Sequence, residues 1–506
     1  MQAERYIAAA DLGSSKIALS VAKIEGDDIQ IIYYKETPSD GVRYSCVFNP
    51  KRAAVPLKAA IKEAEDELNI KILQVVVGLP RYSVRQEIAS ARMERSDPAT
   101  CITKEEVATL KSIALDSYPI ADESKEEIYG AVAQSFSADE ELVCASEHDV
   151  VGVTADALEG NFKIFIGAQK PVSNIDIMLN DTGVAPAHKL FLPNAVAKAV
   201  LTEGEKENGV ALVEIGAGVT SLTIYRGKIL RHYSSIPFGG RVISTDIKYE
   251  CGFNEKLAEN IKLAFGACLP DKLQSLSDKV IQINDDENGS YEQLPVKYLS
   301  EVITCRAREI IEAILFQIQD SGYADKLRNG IVLTGGGANL VNIATLIKEM
   351  SGYTVRIGYP RSQTFSAVGC SGVGETSAAA TIGMILEAKK DYRLNCIEDI
   401  ELPERQVEPV AAPAVAEAPK PETAPAAAEA PKPERKAPET LFPDELISEV
   451  LTPRKNRHRE KTPKEPKEPK APGKIVTWIR QTSERVGKLA GDTFDNTMGG
   501  LFDDMK

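Results

Sequence analysis

The stretch Gly209–Leu230, GVALVEIGAGVTSLTIYRGKIL, decides the fold. Val210 to Val213 is a short apolar run suited to a buried strand, and Leu222 to Tyr225 opens a second. Between them, Gly216-Ala217-Gly218 lets the backbone bend sharply and come close to a ligand with no Cβ in the way. Arg226-Gly227-Lys228 supplies a polar turn, and Ile229-Leu230 starts a third strand. A glycine-tipped hairpin with Thr220 and Ser221 beside it can hold a phosphate through backbone N–H groups. Taken alone, it is more often an ordinary tight hairpin.

Two more turns of the same kind change that balance. Ile7 to Ser20, IAAADLGSSKIALS, reads as strand, then Asp11-Leu12-Gly13-Ser14-Ser15-Lys16, then strand. Leu333-Thr334-Gly335-Gly336-Gly337-Ala338-Asn339 ends the apolar run from Gly330 and opens a helical stretch near Leu340. Three strand-to-glycine turns in this order fit a nucleotide held between two similar halves. With these residues the chain resembles the superfamily of actin, heat-shock chaperones and sugar kinases, whose turns grip the phosphates and the adenosine. The resemblance implies an α/β fold of two related ribonuclease-H-like halves around a nucleotide cleft.

Composition removes several other classes. With 506 residues and 43% hydrophobic content, the chain can build more than one real core. A formal net charge of −14 argues against general nucleic-acid binding, which needs clustered Lys and Arg. The eight cysteines are scattered with no C-x-x-C pair, and no secretory signal precedes them, so they read as reduced thiols. None of the four histidines sits in H-E-x-x-H spacing, which leaves metal-hydrolase chemistry little to stand on. No apolar run approaches the ~20 residues that cross a bilayer.

Further along, Ile29 to Tyr34 and Ile72 to Val77 read as strands, and Val55 to Leu68 as a helix. Thr103 to Leu115 is a helix with Thr103 and Glu106 as a capping box. Strand-like runs follow at Glu127 to Ala133, Glu141 to Ala145 and Phe162 to Gly167. Three segments narrow the resemblance to the bacterial cell-division actin homologues called FtsA. They are Ser39-Asp40-Gly41-Val42-Arg43 with Val47-Phe48-Asn49, the run Lys228 to Gly240, and Thr245-Asp246-Ile247. The likeness spans roughly residues 5–390.

That resemblance implies a layout. Residues 1–80 and 170–205 would form the first lobe, interrupted by an α+β subdomain over 81–169. Residues 206–375 would form the second lobe with its helical subdomain, and 376–400 would close on the first. A disordered linker over 401–472 and an amphipathic membrane helix with its tail over 473–506 would follow. It also implies the protein's partners: the tubulin-like FtsZ, further copies of itself in filaments, later division proteins through the inserted subdomain, and anionic membrane lipid. The site would be the cytoplasmic face of the bacterial inner membrane at the division plane.

The expected ligands are ATP and Mg²⁺. Asp11 would hold the ion or its water, while Gly13, Ser14, Ser15 and Lys16 would meet the β- and γ-phosphates. Gly216 and Gly218 would cover them from the other half. Gly335, Gly336 and Gly337 would close over the nucleoside. Glu259 and Lys262, in Leu257-Ala258-Glu259-Asn260-Ile261-Lys262, match the family stretch whose Glu and Lys face the adenosine; they also fit an exposed i,i+3 ion pair.

Some residues depart from the family. Glu214 stands where relatives carry Asp, Ser221 where a second acid is common, and Leu192 where hydrolases place a water-orienting Glu or Gln. No catalytic base stands out, and Glu214 is the one acid to consider. Turnover is expected to be slow or negligible, since a missing base or water-positioner costs typically ~10²–10⁴-fold. A small-molecule kinase of the same fold would need an Asp base, and none presents itself. A heat-shock chaperone would need a β-sandwich after residue 390.

After Leu402 the sequence becomes Ala-, Pro-, Glu- and Lys-rich and cannot bury enough apolar surface to offset the entropy of ordering. Within it, residues 440–451 (TLFPDELISEVL) place Leu446, Ile447, Val450 and Leu451 on one helical face, a partner motif or a chance cluster. Gly473 to Asp492 is amphipathic, with Ile475, Trp478, Ile479, Val486 and Leu489 as its apolar stripe. The basic run Arg454 to Lys474 precedes it and would be drawn to anionic lipid. A partner's groove would suit the same stripe.

Overall fold

The computed structural model describes residues 4–139, 142–276, 278–285, 290–367 and 369–398. The linker, its 440–451 motif and the anchor residues Ile475, Trp478, Ile479, Val486 and Leu489 lie outside them. Two sheets built to one plan carry the fold. In the first, the order is Asp28–Pro38, Lys16–Glu25, Arg5–Leu12, Gln74–Gly78, Ala185–Leu190, with the two-residue strand Ser366–Ala367 added parallel to Asp28–Pro38 at the edge. In the second it is Ile229–Ile236, Thr220–Arg226, Val210–Ile215, Ile331–Thr334, Val355–Ile357. In each, three strands consecutive in the chain pair antiparallel, and two parallel ones are added beyond the first of them.

The sequence explains the plan. Short polar turns (Asp27 region; Arg226 to Lys228) join the antiparallel strands, with Lys228 at φ 62° and Gly227 at φ 61°. The parallel strands Gln74–Gly78 and Ile331–Thr334 are continuous apolar runs, as strands covered on both faces must be. Helices then cover the sheets. Pro50–Leu68, capped by the Asn49 side chain accepting from Arg52 N at 3.1 Å, packs on the first sheet through Ala53, Leu57, Ala60 and Ala64. It starts five residues before the helix expected from periodicity, because Asn49 and Pro50 form the start signal while the apolar stripe begins only at Ala53. Val296–Asp320 is the spine of the second lobe's core, through Leu299, Ile303, Ala307, Ile311, Ile314 and Ile318.

A third core belongs to the insertion, where Lys104–Asp116 lies on a four-stranded sheet of order Arg85–Glu94, Ala157–Ala168, Glu126–Ala138, Leu142–Cys144. The capping box at Thr103 and Glu106 is formed from both sides. The Arg85–Glu94 strand has no counterpart in the sequence reading. Only Ala89 on it is buried, so no apolar alternation marks it, and pairing with Ala157–Ala168 makes it a strand.

The insertion leans on the outer strand of the second sheet. Gln134 Nε2 donates to Leu230 O at 2.9 Å, Lys163 Nζ donates to Arg231 O, and Tyr233 N donates to Gln86 Oε1 at 3.1 Å. Phe165, Phe191 and Tyr233 meet there, with ring centroids 4.4 to 6.2 Å apart, and tie insertion, first lobe and second lobe together. The helix expected from Leu340 begins at Ile343, after a 3₁₀ turn over Gly336–Asn339.

Candidate functional site

Because both sheets share one strand order, their first hairpin turns fall at corresponding ends and face each other. Asp11 is the penultimate residue of the first strand of one sheet, two residues before Gly13; Glu214 is the penultimate residue of the first strand of the other, two residues before Gly216. Between the turns lies a cavity of about 640 Å³, within the size range of small-molecule sites. Its lining includes Asp11, Gly13, Ser14, Ser15 and Lys16 from the first turn and Glu214, Gly216 and Gly218 from the second. Gly335, Gly336, Gly337, Glu259 and Lys262 line it too, so every cleft residue expected from sequence is drawn to one cavity. Its far side is apolar, with Leu263, Phe265, Leu273, Leu276, Leu340 and Val341.

The first two turns come close to each other. A Cβ on Gly218 would lie 2.9 Å from Ser14 Oγ and 3.4 Å from Tyr44 N, so a side chain there would have to displace the opposite turn. Ser14 Oγ accepts from Ser45 N at 3.0 Å and its carbonyl accepts from Arg241 Nη2 at 2.8 Å, a bond between lobes. Ser45 and Tyr44 lie in a tight hairpin of the segment Val42–Val47, both at positive φ. Gly240 N and Arg241 N, at the start of the helix Gly240–Cys251, donate to Gly216 O and Ala217 O at 2.8 Å each and brace the second turn. The third turn is held by Thr376, whose Oγ1 contacts Gly335 O at 2.9 Å and Asn339 Oδ1 at 3.0 Å.

The charges in the cavity come as pairs. Lys16 Nζ meets Glu36 Oε2 at 2.5 Å, and Glu36 also accepts from Tyr34 and Ser377 hydroxyls at 2.6 and 2.8 Å. Burial pushes the Glu36 carboxyl up, but Lys16, Tyr34 and Ser377 outweigh it and hold it below the usual range. Lys262 Nζ meets Glu259 Oε2 at 2.8 Å and Gly240 O at 2.9 Å, and Ser244 donates to the same carboxylate. Burial pushes the Lys262 ammonium down against the pull of Glu259. Glu259 and Lys262 thus form the i,i+3 pair and line the cavity as well; the pair is not an exposed surface feature.

Asp11 and Glu214 have a partner that sequence reasoning did not name. Arg81, buried just past the Gln74–Gly78 strand, sits between them. Its signal in the sequence is weak. It lies three residues after the end of a parallel strand next to the sheet's first strand, the edge where open α/β sheets keep their ligand groups. Burial lowers the readiness of Glu214 to ionise, against Arg81, so its carboxyl stays above the usual range. Ser221, in the place of a second acid, contacts Glu214 Oε2 at 3.4 Å. Leu192 is buried at 1% exposure, packs over Gly78 and is not among the residues lining the cavity. Among the described residues no cluster of three or more His, Cys, Asp or Glu could hold a metal ion, and no helix is long and apolar enough to cross a membrane.

Two like-built α/β lobes closing on a cavity with three glycine turns define an actin-like fold. A solved structure of a PilM-PilN type IV pilus biogenesis complex shares it, with TM-score 0.52 and 15% identity over 76% of this chain and 98% of that one. The family model "Cell division protein FtsA" matches residues 211–382. Cell division protein FtsA of Neisseria meningitidis serogroup B is 28% identical over 362 residues, 71% of this chain and 85% of the relative. FtsA of Escherichia coli K12 is 25% identical over 407 residues, 78% and 93% of the two chains. By these matches the chain is similar to the FtsA cell-division proteins over most of its described length.

Proposed function

We propose that this chain is a nucleotide-gated assembly protein of the division machinery. ATP enters the cavity between the lobes, with its phosphates at the Asp11–Lys16 and Glu214–Gly218 turns and its adenosine against Gly335–Gly337, Glu259 and Lys262. Bound nucleotide sets the angle between lobes and so the ability of copies to join into filaments. Turnover is slow or negligible, because Leu192 is buried away from the cavity and Glu214 is held by an arginine. The filament carries FtsZ to the cytoplasmic face of the inner membrane through the amphipathic sequence of residues 473–492. The inserted subdomain receives later division proteins.

The observation that carries this reading is the convergence of three separate glycine turns on one nucleotide-sized cavity in a chain with FtsA relatives. One sequence with five large apolar side chains would hold a membrane weakly, and a filament of many copies would hold it firmly. The experiment is co-sedimentation of the full chain and FtsZ with anionic vesicles, with a fluorescent ATP analogue as probe. Wild type should bind the analogue and carry FtsZ down. Lys16→Ala should lose the analogue, while Trp478→Glu with Ile479→Glu should keep it and leave the vesicles. FtsZ that pellets equally well with that double variant, or rapid multi-turnover ATP hydrolysis by the chain alone, would remove the reading.

A further inference from the structure

Asp11 and Glu214 are the two acids at matching places in the two phosphate turns, the pair an actin-like cleft would offer to a divalent ion. In this chain both are committed to one guanidinium. Arg81 Nη1 and Nη2 each lie 3.1 Å from Asp11 Oδ1. Its Nε and Nη2 fork onto Glu214 Oε2 and Oε1 at 3.2 and 3.1 Å. Nη1 also donates to Ser45 Oγ at 3.1 Å. An arginine has five N–H donors in a fixed plane, and here all five have acceptors.

The arrangement is a built site. Arg81 is 7% exposed, and its carbonyl accepts from the hydroxyl of buried Tyr233, which fixes the backbone that aims it. Burial works against its charge, but Asp11 and Glu214 outweigh burial and hold it more firmly protonated than usual. Mg²⁺ demands near-ideal octahedral oxygens at about 2.1 Å and gives up its waters reluctantly. The residues do not fit such an ion between Asp11 and Glu214, since the carboxylates there already face a permanent cation that cannot leave by deprotonation.

We propose that Arg81 is the resident cation of the cleft, standing where a divalent ion would stand, and that nucleotide therefore binds this chain without a divalent ion. Arg81 neutralises part of the two acids' charge and presents its guanidinium plane to the phosphate end of the cavity. Lys16 and Lys262 do not duplicate it, because each is spent on its own carboxylate.

The test has two arms. The first uses no nucleotide: Mn²⁺ is titrated into the full chain and free ion is read by electron paramagnetic resonance. Wild type should show no site in the cleft tighter than ~1 mM, the weak end for carboxylate sites. Arg81→Met should gain one, and Arg81→Met with Glu214→Gln should lose it again. A tighter Mn²⁺ site in wild type that Glu214→Gln abolishes would overturn the proposal, and so would an Arg81→Met protein with no gain. If Arg81→Met does not fold, the wild-type and Glu214→Gln titrations decide alone.

The second arm rests on the proposed nucleotide binding and uses fluorescent ADP in Mg²⁺ or in EDTA. Wild-type affinity should change by less than about threefold, whereas Arg81→Met should weaken about tenfold or more in EDTA, some 1.4 kcal/mol. A tenfold loss in EDTA by wild type would overturn the proposal. Absence of ADP binding under both conditions would count against the nucleotide reading, and the Mn²⁺ arm would still decide the role of Arg81.

Discussion

The three glycines of the third turn look interchangeable in sequence, yet the structure assigns them different tasks, and alanine at each should separate them. Gly335 sits at φ 81°, ψ 167°, a region nearly closed to residues with a Cβ and costing about 1–3 kcal/mol. A Cβ there would also lie 2.7 Å from Ile215 O and 3.1 Å from Ile215 N, backbone of a central strand that cannot step aside. Overpacking of that kind adds about 1–3 kcal/mol. Against these, alanine regains about 0.4–1 kcal/mol by narrowing the unfolded chain. The balance for Gly335→Ala is a loss of roughly 1–6 kcal/mol, centred near about 3, or on the order of 6–12 °C in melting temperature at that centre for a lobe of this size.

Gly337→Ala should lose less, roughly 1–3 kcal/mol, because its Cβ would press on the Ile215 side chain, 2.9 Å from Cβ, before reaching backbone. Gly336 has no atom within 4 Å of such a Cβ, so Gly336→Ala should be neutral within about 0.5 kcal/mol. Gly336→Asp should likewise stay folded, and its carboxylate should keep a fluorescent ATP analogue out of the cavity. Thermal melts by circular dichroism, with analogue binding on the same samples, make the comparison. A Gly336→Ala protein that melts as low as Gly335→Ala would refute these separate roles for the three glycines.

Two other measurements bear on the frame around the site. His232 is pushed down to about 4 by burial, with Lys163 adding and Asp320 opposing; its Nδ1 meets Gln86 Nε2 at 2.9 Å and its Nε2 has no partner. The folded chain thus binds fewer protons than the unfolded one between about pH 6.5 and 4. Stability is complete above that window and falls through it by up to roughly 3 kcal/mol, so His232→Gln should flatten the decline of melting temperature from pH 7 to 5. Leu192→Glu should not create an ATPase: it buries a carboxyl group, driven neutral there, against Gly78 at a cost of roughly 2–7 kcal/mol, and a stable variant with raised turnover would show that this side chain can reach the cavity.

What could be read from the sequence follows from where each signal is written. The hairpins at 5–25 and 210–236 were legible because apolar strand runs and glycine turns sit next to each other in the chain. The Thr103 cap was legible because its two partners are three residues apart. The pairing of Asp11 and Glu214 with Arg81 was not, since these residues are separated by 70 and 133 positions and meet only after both sheets form. Glu36 escaped for the same reason. Its bonds to Lys16 and Ser377 depend on the register that sets Ala18 opposite it and on the docking of the last helix. The Arg85–Glu94 strand carries charge on both faces and is a strand by virtue of its neighbour.

The pairing of charges in the cavity has a consequence for how a ligand can act. A phosphate group gains most from Arg81, Lys16 or Lys262 when it takes that cation from its carboxylate, and each carboxylate so released is left in a poorly solvated place. Arg81 matters most, because its two acids belong to different sheets: Asp11 lies near the end of a strand of the first lobe and Glu214 near the end of a strand of the second. While it holds both, it is a bridge across the cleft, alongside the Arg241 bond to Ser14 O. A phosphate drawing the guanidinium forward would slacken that bridge and replace it with contacts of its own to both turns. Occupancy and lobe angle are then coupled through one side chain, with no need for a catalytic step.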